Sequence, residues 1–235
     1  MRHSSAVETL ASLTSEIVGC RACPRLVEWR EHVAAERRAA FRDEQYWGRP
    51  VPGFGDPAAR MLVVGLAPAA HGGNRTGRVF TGDRSGDWLF SSLHRAGLAN
   101  QPESVARDDG LELRDVYVAA AVRCAPPGNR PTPAERDRCQ PFLEREFALL
   151  NRLCVVVALG QFAYDVAWRV LGAAGVELPR PKPRFAHGLE VTTGSMTVLG
   201  CFHPSQQNTF TGRLTEPMLD AVFERASQLA TARGR

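Results

Sequence analysis

The sequence predicts an α/β fold of three layers, in which helices cover both faces of a central, mainly parallel four-stranded sheet. Short apolar runs of strand length lie at 60–65, 115–122 and 154–159. Each run is followed by a loop and then by a segment whose apolar residues recur with helical spacing. Repetition of strand, loop and helix is typical of a parallel sheet with helices on both faces.

The remaining elements follow from local signals. Thr132, Pro133 and Glu135 supply the cap, first-turn proline and third-position acid that begin a helix. Residues 99–112 are polar and irregular, and 49–57 is predicted to be a loop. Helices are expected at 6–18, 24–40, 86–96, 133–150, 161–172 and 215–231, and further strands at 189–193 and 197–202.

Composition narrows the class of protein. The chain has 235 residues, of which 44% are hydrophobic, enough for one substantial core. The net charge is +4, and Lys182 is the one lysine among 29 basic residues. The sequence has neither an apolar run long enough for a membrane helix nor the apolar centre of a signal peptide. We therefore expect a soluble, cytoplasmic protein without a membrane partner. The absence of an exposed heptad repeat favours a monomer.

A glycine-studded stretch between the first strand and the next helix carries the strongest functional signal. This segment, residues 65–86, is called the motif loop below, and it contains six glycines. Glycine permits close approach of the backbone to a ligand, and loops of this length are usually functional when ordered. The loop also carries side chains able to act on a base or a phosphate: His71, Asn74, Arg75, Phe80 and Asp83.

Two more polar loops follow strands, at 123–131 and 203–214. The carboxyl ends of parallel strands meet at one edge of a sheet, where ligands bind in open α/β folds. We therefore expect Asn129 and His203 to lie beside the motif loop.

Four cysteines have a spacing suited to metal. Cys20 and Cys23 are separated by two residues, and Cys124 and Cys139 by fourteen. Zinc and a [4Fe–4S] cluster both accept four thiolates, and the wide second pair favours the cluster. Unpaired buried thiols are the alternative, and this is how Cys154 and Cys201 are interpreted.

The motif loop resembles the first motif of the family 5, or type B, uracil-DNA glycosylases. The resemblance rests on Gly65-Leu66-Ala67-Pro68-Ala69-Ala70-His71-Gly72, Arg75-Thr76-Gly77-Arg78 and Phe80-Thr81-Gly82-Asp83. Arg123-Cys124-Ala125-Pro126-Pro127 with Asn129, and His203-Pro204-Ser205 with Gln207-Asn208-Thr209, are similar to its later motifs. The four cysteines match the spacing that holds a [4Fe–4S] cluster in families 4 and 5.

The resemblance implies hydrolysis of the N-glycosidic bond of uracil, and also of hypoxanthine, xanthine and ethenocytosine, mostly in double-stranded DNA. A base in a duplex must be flipped into a pocket before it is attacked. The pocket is expected to comprise Gly65, Leu66, Ala67, His71 and Phe80. Ala67 replaces the Asp or Asn that positions the attacking water elsewhere in the superfamily.

Three side chains are candidates for the chemistry. Asp83 could orient water and offset the positive charge of an oxocarbenium-like sugar. It could equally serve as the acidic residue at the start of a helix. Asn129 is a second candidate for positioning water, or a turn residue beside Gly128. His203 could donate a hydrogen bond to the departing base.

The DNA contacts are expected to come from both loops. Phe210 or Leu214 could enter the minor groove as an apolar wedge, and Arg75, Arg78 and Arg213 could bind phosphates. The further candidates for DNA contacts are Ser205, Gln207 and Asn208. The alternatives are a family 4-like enzyme restricted to uracil, an iron–sulfur DNA-binding protein without catalysis, and an electron-transfer protein.

Overall fold

A computed structural model describes residues 8–233, with six strands and eight α-helices. The strands are β1 (Phe54–Gly55), β2 (Met61–Gly65), β3 (Val116–Ala120), β4 (Val155–Leu159), β5 (Glu190–Thr193) and β6 (Met196–Cys201). The helices are α1 (Leu10–Gly19), α2 (Pro24–Glu36), α3 (Gly73–Thr76), α4 (Arg84–Arg95), α5 (Pro133–Leu149), α6 (Gln161–Ala173), α7 (Gln206–Phe210) and α8 (Glu216–Ala232).

The strands form one sheet in the order β1-β3-β2-β4-β6-β5. The four central strands are parallel, which confirms the predicted parallel core, and the two edge strands are antiparallel to their neighbours. The edge strand β1 lies in the predicted loop 49–57. That prediction is wrong because the pairing of Phe54 with Val118 is a long-range contact that a two-residue strand does not signal in the sequence.

Alternate residues of the central strands face two separate cores. Met61, Val63, Val155 and Val157 pack with α4 and α8 on one face. Leu62, Val64, Val156 and Ala158 pack with α5 and α6 on the other. Because both faces are covered, the strands are apolar at nearly every position, as buried parallel strands are. The architecture is the predicted α/β/α arrangement.

Both long loops contain a short helix that the sequence reasoning missed. Helix α3 lies within the motif loop, and its C-cap Gly77 has a left-handed φ of 79°. Helix α7 follows Ser205, whose side chain accepts a hydrogen bond from the backbone N–H of Asn208. Both helices are shorter than the window over which helical periodicity can be recognised.

Two other boundaries also differ from prediction. Helix α2 ends at Glu36 rather than near residue 40, and Arg37 has a positive φ of 54° that leaves helical geometry. Helix α4 begins at Arg84, two residues early, because Asp83 caps it. Within residues 8–233, no helix is long and apolar enough to cross a membrane.

Candidate active site

The parallel strands bring the motif loop and the segment after β6 to the same edge of the sheet. The motif loop leaves β2 at Gly65, and His203 follows β6 by two residues. The ring centroids of Phe80 and His203 are 5.7 Å apart. Gly65, Phe80 and His203 are therefore assembled, as the sequence predicted for the base-binding edge.

Two glycines fix the position of Phe80. A Cβ on Gly65 would lie 2.5 Å from Phe80 Cζ, so the ring occupies space that another residue would fill. Gly86 abuts the carbonyl oxygen of Phe80. Phe80 itself has a φ of 51°, a left-handed conformation that is uncommon outside glycine. The surrounding contacts therefore hold the aromatic ring in one place.

His203 is poised as a neutral imidazole. Burial lowers its pKa to about 4. Its Nδ1 is buried and has no hydrogen-bond partner among the described residues. Its carbonyl oxygen accepts a hydrogen bond from Asn208 Nδ2 at 2.9 Å, which ties the backbone of the residue to α7. The ring nitrogen is thus available to a ligand while the backbone is held.

Asp83 caps helix α4. Its Oδ1 accepts hydrogen bonds from the backbone N–H groups of Ser85 and Gly86, at 2.9 and 3.1 Å. Its Oδ2 lies against Gly72, where an added Cβ would overlap it. Burial raises the pKa of Asp83, and the two backbone hydrogen bonds partly oppose that shift. The helix-cap role is therefore present, and it leaves the second carboxylate oxygen facing the motif loop.

The N-terminal segment covers the motif loop. The backbone N–H groups of Trp47 and Gly48 donate to the carbonyls of Arg75 and Asn74, and Tyr46 Oη lies 3.0 Å from His71 Nδ1. The pKa of His71 is lowered, mainly by burial and further by two neighbouring arginines. His71 is therefore placed as part of a fixed loop wall.

Asn74 and two of the three arginines of the motif loop are also buried. Asn74 Nδ2 donates to the carbonyl of Arg30 in α2. Arg75 is 8% exposed and is paired with Glu44, and Arg78 is 3% exposed and is paired with Asp109 at 2.6 Å. The structure does not support the prediction that Arg75 and Arg78 bind phosphates. Their guanidinium groups stabilise the loop from within and are not available to DNA in this conformation.

The segment after His203 presents one apolar side chain to solvent. Phe210 is 67% exposed, and the guanidinium carbon of Arg84 lies 4.3 Å from its ring centroid. Leu214 has 0% exposure and belongs to the core beneath α8, so it cannot act as the wedge. Of the two residues predicted to form the apolar wedge, only Phe210 is therefore placed where it could enter DNA.

The other residues predicted to bind DNA or to position water differ in their exposure to solvent. Gln207 is exposed, and Ser205 and Asn208 are partly buried because they cap and anchor α7. Arg213 is exposed, with its guanidinium carbon 4.5 Å from the ring centroid of Phe202. Asn129 is exposed in a short 3₁₀ turn and has a φ of 56°. Its geometry is that of the turn residue beside Gly128.

Leu66 and Ala67 continue from β2 into the motif loop. The Leu66 carbonyl accepts a hydrogen bond from the backbone N–H of Val122 at 3.0 Å, and Ala67 packs on the apolar cluster around Cys124 and Cys139. Ala67 therefore lies between the loop and the cysteines, a link the sequence did not reveal.

The four predicted metal-ligating cysteines line one small cavity. Its volume is about 20 Å³, and its wall contains Cys20, Cys23, Cys124 and Cys139. Burial raises the pKa of Cys124 to about 11 and that of Cys139 to about 12. Among residues 8–233, no three Cys, His, Asp or Glu side chains are arranged to hold a single metal ion.

Two arginines contact this cavity. Arg30 is buried in α2, and its Nη1 donates to Cys124 Sγ at 2.9 Å, while its Nε has no partner among the described residues. The backbone N–H of Arg123 donates to Cys139 Sγ at 3.2 Å. The Arg123 side chain forms a buried pair with Glu146. Cys124 Sγ thus faces the Arg30 guanidinium, and Cys139 Sγ accepts a hydrogen bond from a backbone N–H.

Comparison with known proteins agrees with this geometry. A family model described as the uracil DNA glycosylase superfamily matches residues 52–227. The chain is 57% identical over 224 residues to the type-5 uracil-DNA glycosylase of Mycobacterium bovis, covering 94% of this chain and 82% of the relative. It is 51% identical over 215 residues to that of Thermus thermophilus, covering 91% and 95%. Identity to the type-4 uracil-DNA glycosylase of Archaeoglobus fulgidus is 26% over 200 residues, covering 85% and 83%.

Proposed function

The chain belongs to the type-5 family of uracil-DNA glycosylases, which hydrolyse N-glycosidic bonds in DNA, and we propose that it excises uracil and other deaminated bases from double strands. The proposed further substrates are hypoxanthine, xanthine and ethenocytosine. The observation that carries the proposal is the meeting of Phe80 and His203 beside Gly65. An enzyme of this kind acts where the chromosome lies, so the proposed location is the nucleoid-associated cytoplasm.

Base binding is proposed to rely on stacking and backbone contacts. A flipped base would lie against Phe80, close to the glycine at the end of β2. Stacking on an aromatic ring tolerates any base, because every base has a π-face. The side chain of Ala67 offers no hydrogen bond to a bound base. Stacking on Phe80 is therefore the contact that supports the broad substrate range.

His203 is proposed to stabilise the departing base. A neutral imidazole can donate one hydrogen bond to the oxygen that gains negative charge as the bond breaks. A preorganised donor of this kind accelerates a reaction by roughly 10²–10³. Because burial holds the pKa of His203 near 4, the ring is neutral at neutral pH and needs no proton from solvent before it acts.

Asp83 is proposed to orient the attacking water and to offset the charge of the sugar cation. Its Oδ1 is committed to the helix cap, and its Oδ2 faces the motif loop at Gly72. Asn129 is the second candidate for positioning water. Its exposed position in a turn leaves Asp83 with the stronger structural support.

The decisive assay uses otherwise identical duplexes with one uracil, hypoxanthine, xanthine or ethenocytosine. The proposal expects abasic product from each duplex, and slower product formation from the corresponding single strands. Release of uracil alone would identify a uracil-restricted activity and reject the broader substrate range. Binding without any abasic product would overturn the proposed activity.

We also propose that Cys20, Cys23, Cys124 and Cys139 bind a [4Fe–4S] cluster. The donor set fits, because all four thiols line one cavity, where an anionic cluster would face the Arg30 guanidinium and the backbone N–H of Arg123. The bound cluster would supply a covalent link between the N-terminal segment and the rest of one domain, residues 1–235.

Binding of a cluster would change the protonation of the cavity's thiols. Burial raises the pKa of Cys23, as it does for Cys124 and Cys139, and metal binding is what would deprotonate these thiols. Anaerobically purified protein should contain about four iron and four sulfide per chain. Cys139→Ser should lose most of this iron, whereas Cys154→Ser, a buried thiol outside the cavity, should retain it. Stoichiometric zinc in colourless protein would reject the cluster.

A further inference from the structure

Two exposed arginines lie on Trp47, outside the residues that the sequence motifs single out. The guanidinium carbon of Arg107 is 4.6 Å from the ring centroid of Trp47, and that of Arg49 is 5.8 Å away. Both arginine side chains are exposed. This set, Arg49, Trp47 and Arg107, is called the arginine–tryptophan patch below.

The patch rests directly on the motif loop. A Cβ on Gly77 would lie 2.8 Å from Trp47 Cδ2, so the indole covers this glycine. The backbone N–H of Trp47 donates to the carbonyl of Arg75 at 2.8 Å. The indole N–H is satisfied by the carbonyl of Pro50 at 3.1 Å. The tryptophan is therefore held in a fixed position on the motif loop.

A buried cation of the motif loop contacts the backbone of one exposed arginine of the patch. Arg78 Nη1 donates to the carbonyl of Arg107 at 3.4 Å, and the same guanidinium is paired with Asp109. The backbone carbonyl of Arg75 accepts a hydrogen bond from Trp47. Arg78 thus helps to position Arg107, and the backbone of Arg75 helps to position Trp47.

Both exposed guanidinium groups have free hydrogen-bonding capacity. Within residues 8–233, neither Arg49 nor Arg107 donates a side-chain hydrogen bond or forms an ion pair with a carboxylate. Many other surface arginines do form ion pairs with carboxylates, such as Arg21 with Glu31 and Arg225 with Glu190. A guanidinium that stacks on a ring keeps its N–H edge free, which suits a phosphate oxygen.

We propose that the arginine–tryptophan patch binds the phosphodiester backbone of DNA beside the flipped nucleotide. This inference rests on the proposed function, because it places the DNA against the motif loop. The ligand chemistry is a row of phosphates, and the contact carries no information about base sequence. Arg49 and Arg107 take the role that the sequence assigns to Arg75 and Arg78.

The test is the salt dependence of DNA binding by the full chain. The probe is a duplex with one tetrahydrofuran abasic analogue, which has no base to release, and Kd is measured by fluorescence anisotropy between 50 and 200 mM NaCl. Each phosphate contact contributes a slope of about 0.9 to the plot of log Kd against log salt. Arg49→Gln with Arg107→Gln should lower the slope by about 1.8. The loss of affinity should then be about 12-fold greater at 50 mM than at 200 mM salt.

Two comparisons make the test specific. Arg114→Gln with Arg152→Gln removes the same charge from exposed positions just before β3 and β4, at the opposite edge of the sheet, and should leave the slope unchanged. Arg49→Lys with Arg107→Lys keeps the charge and should restore the slope. A wild-type slope in the double glutamine variant, or an equal loss in both glutamine pairs, would overturn the inference. Failure of the proposed function is seen separately, as absence of abasic product from wild-type protein on uracil-containing DNA.

Discussion

Asp83 has two roles that substitution can separate. It caps α4 through Oδ1, and it is proposed to orient water through the oxygen that faces Gly72. Asp83→Asn retains an oxygen that can accept the hydrogen bonds of Ser85 and Gly86, but it removes the negative charge. Asp83→Ala removes both functions. The pair therefore distinguishes a structural cap from a group required for base release.

The expected stabilities follow from the cap geometry. Replacing an N-cap Asp by Ala costs about 1 kcal/mol, within a range of about 0.5–2 kcal/mol. Asparagine is nearly as good a cap, and the lost charge–dipole interaction is worth about 0.3–1 kcal/mol. Removal of a partly desolvated charge acts in the opposite direction, since burial raises the pKa of Asp83. The free energy of unfolding of Asp83→Asn should therefore lie within about 1 kcal/mol of the wild-type value.

The expected activities differ sharply from the stabilities. Both variants should release uracil more slowly by roughly 10²–10⁴, the range typical of a positioned acid–base group. Stability is measured by urea unfolding, and activity by single-turnover formation of abasic sites. Thr9→Ala, which removes the N-cap of α1, is the matched control and should lose stability without losing single-turnover rate. A wild-type rate in Asp83→Asn would reduce Asp83 to a helix cap.

The same reasoning predicts a pH profile. Asp83 must be ionised to act, and burial raises its pKa above the ordinary aspartate value. The rate should therefore fall on the acid side at a higher pH than an ordinary aspartate would produce. Burial lowers the pKa of His203 to about 4, so His203→Ala is the control for a contribution from that group. Asp83→Asn should lack the acid limb, and an unchanged limb in that variant would assign it to another group.

Three further predictions concern the surroundings of the site. His203→Ala should slow uracil release by roughly 10²–10³ with little change in Kd for abasic DNA, and equal rates in the two proteins would remove His203 from the mechanism. Gly65→Ala should displace Phe80, slow base release and cost about 1–3 kcal/mol by overpacking, whereas Gly172→Ala in α6, where an added Cβ would meet Leu178 Cδ1 at an ordinary contact distance of 3.6 Å, should be neutral or stabilising in urea unfolding. Asp109→Asn should cost about 3–5 kcal/mol at pH 7, because it leaves buried Arg78 unpaired. Although burial opposes it, hydrogen bonding from Arg78 and three backbone N–H groups lowers the pKa of Asp109. This stabilisation is complete above the unfolded pKa near 4 and fades below it. The stability that Asp109→Asn loses relative to wild type should therefore become smaller in strong acid. A loss of stability that does not depend on pH would contradict the pairing of Asp109 with Arg78.

The sheet and the edge that carries the site could be predicted from local sequence. Apolar runs such as Val155 to Leu159 identify buried strands, and parallel strands place their following loops together. That rule was sufficient to bring His203 beside Phe80, more than one hundred residues away in sequence. The start of α5 was predicted from an equally local signal. The structure confirms the capping residue Thr132 and the third-position acid Glu135.

Features that depend on distant partners could not be predicted. Arg75 and Arg78 have the composition of phosphate ligands, but Glu44 and Asp109 pair with them from other segments. Leu214 and Phe210 are both apolar and near in sequence, yet one is in the core and the other is exposed. Arg49, Arg84 and Arg107 were missed because their stacking on aromatic rings involves neighbours that are mostly remote in the chain. Only the stacking of Arg49 on Trp47, two residues away, carried a local signal.

The central claim is that the motif loop and His203 form one site that releases a flipped base. The most direct measurement is single-turnover release of uracil from a duplex by wild type, Asp83→Asn and His203→Ala, with Kd for abasic DNA measured in parallel. The account predicts rapid abasic-site formation by wild type and a loss of at least roughly 10²-fold in each variant, with DNA binding retained. Equal rates in all three proteins would contradict it.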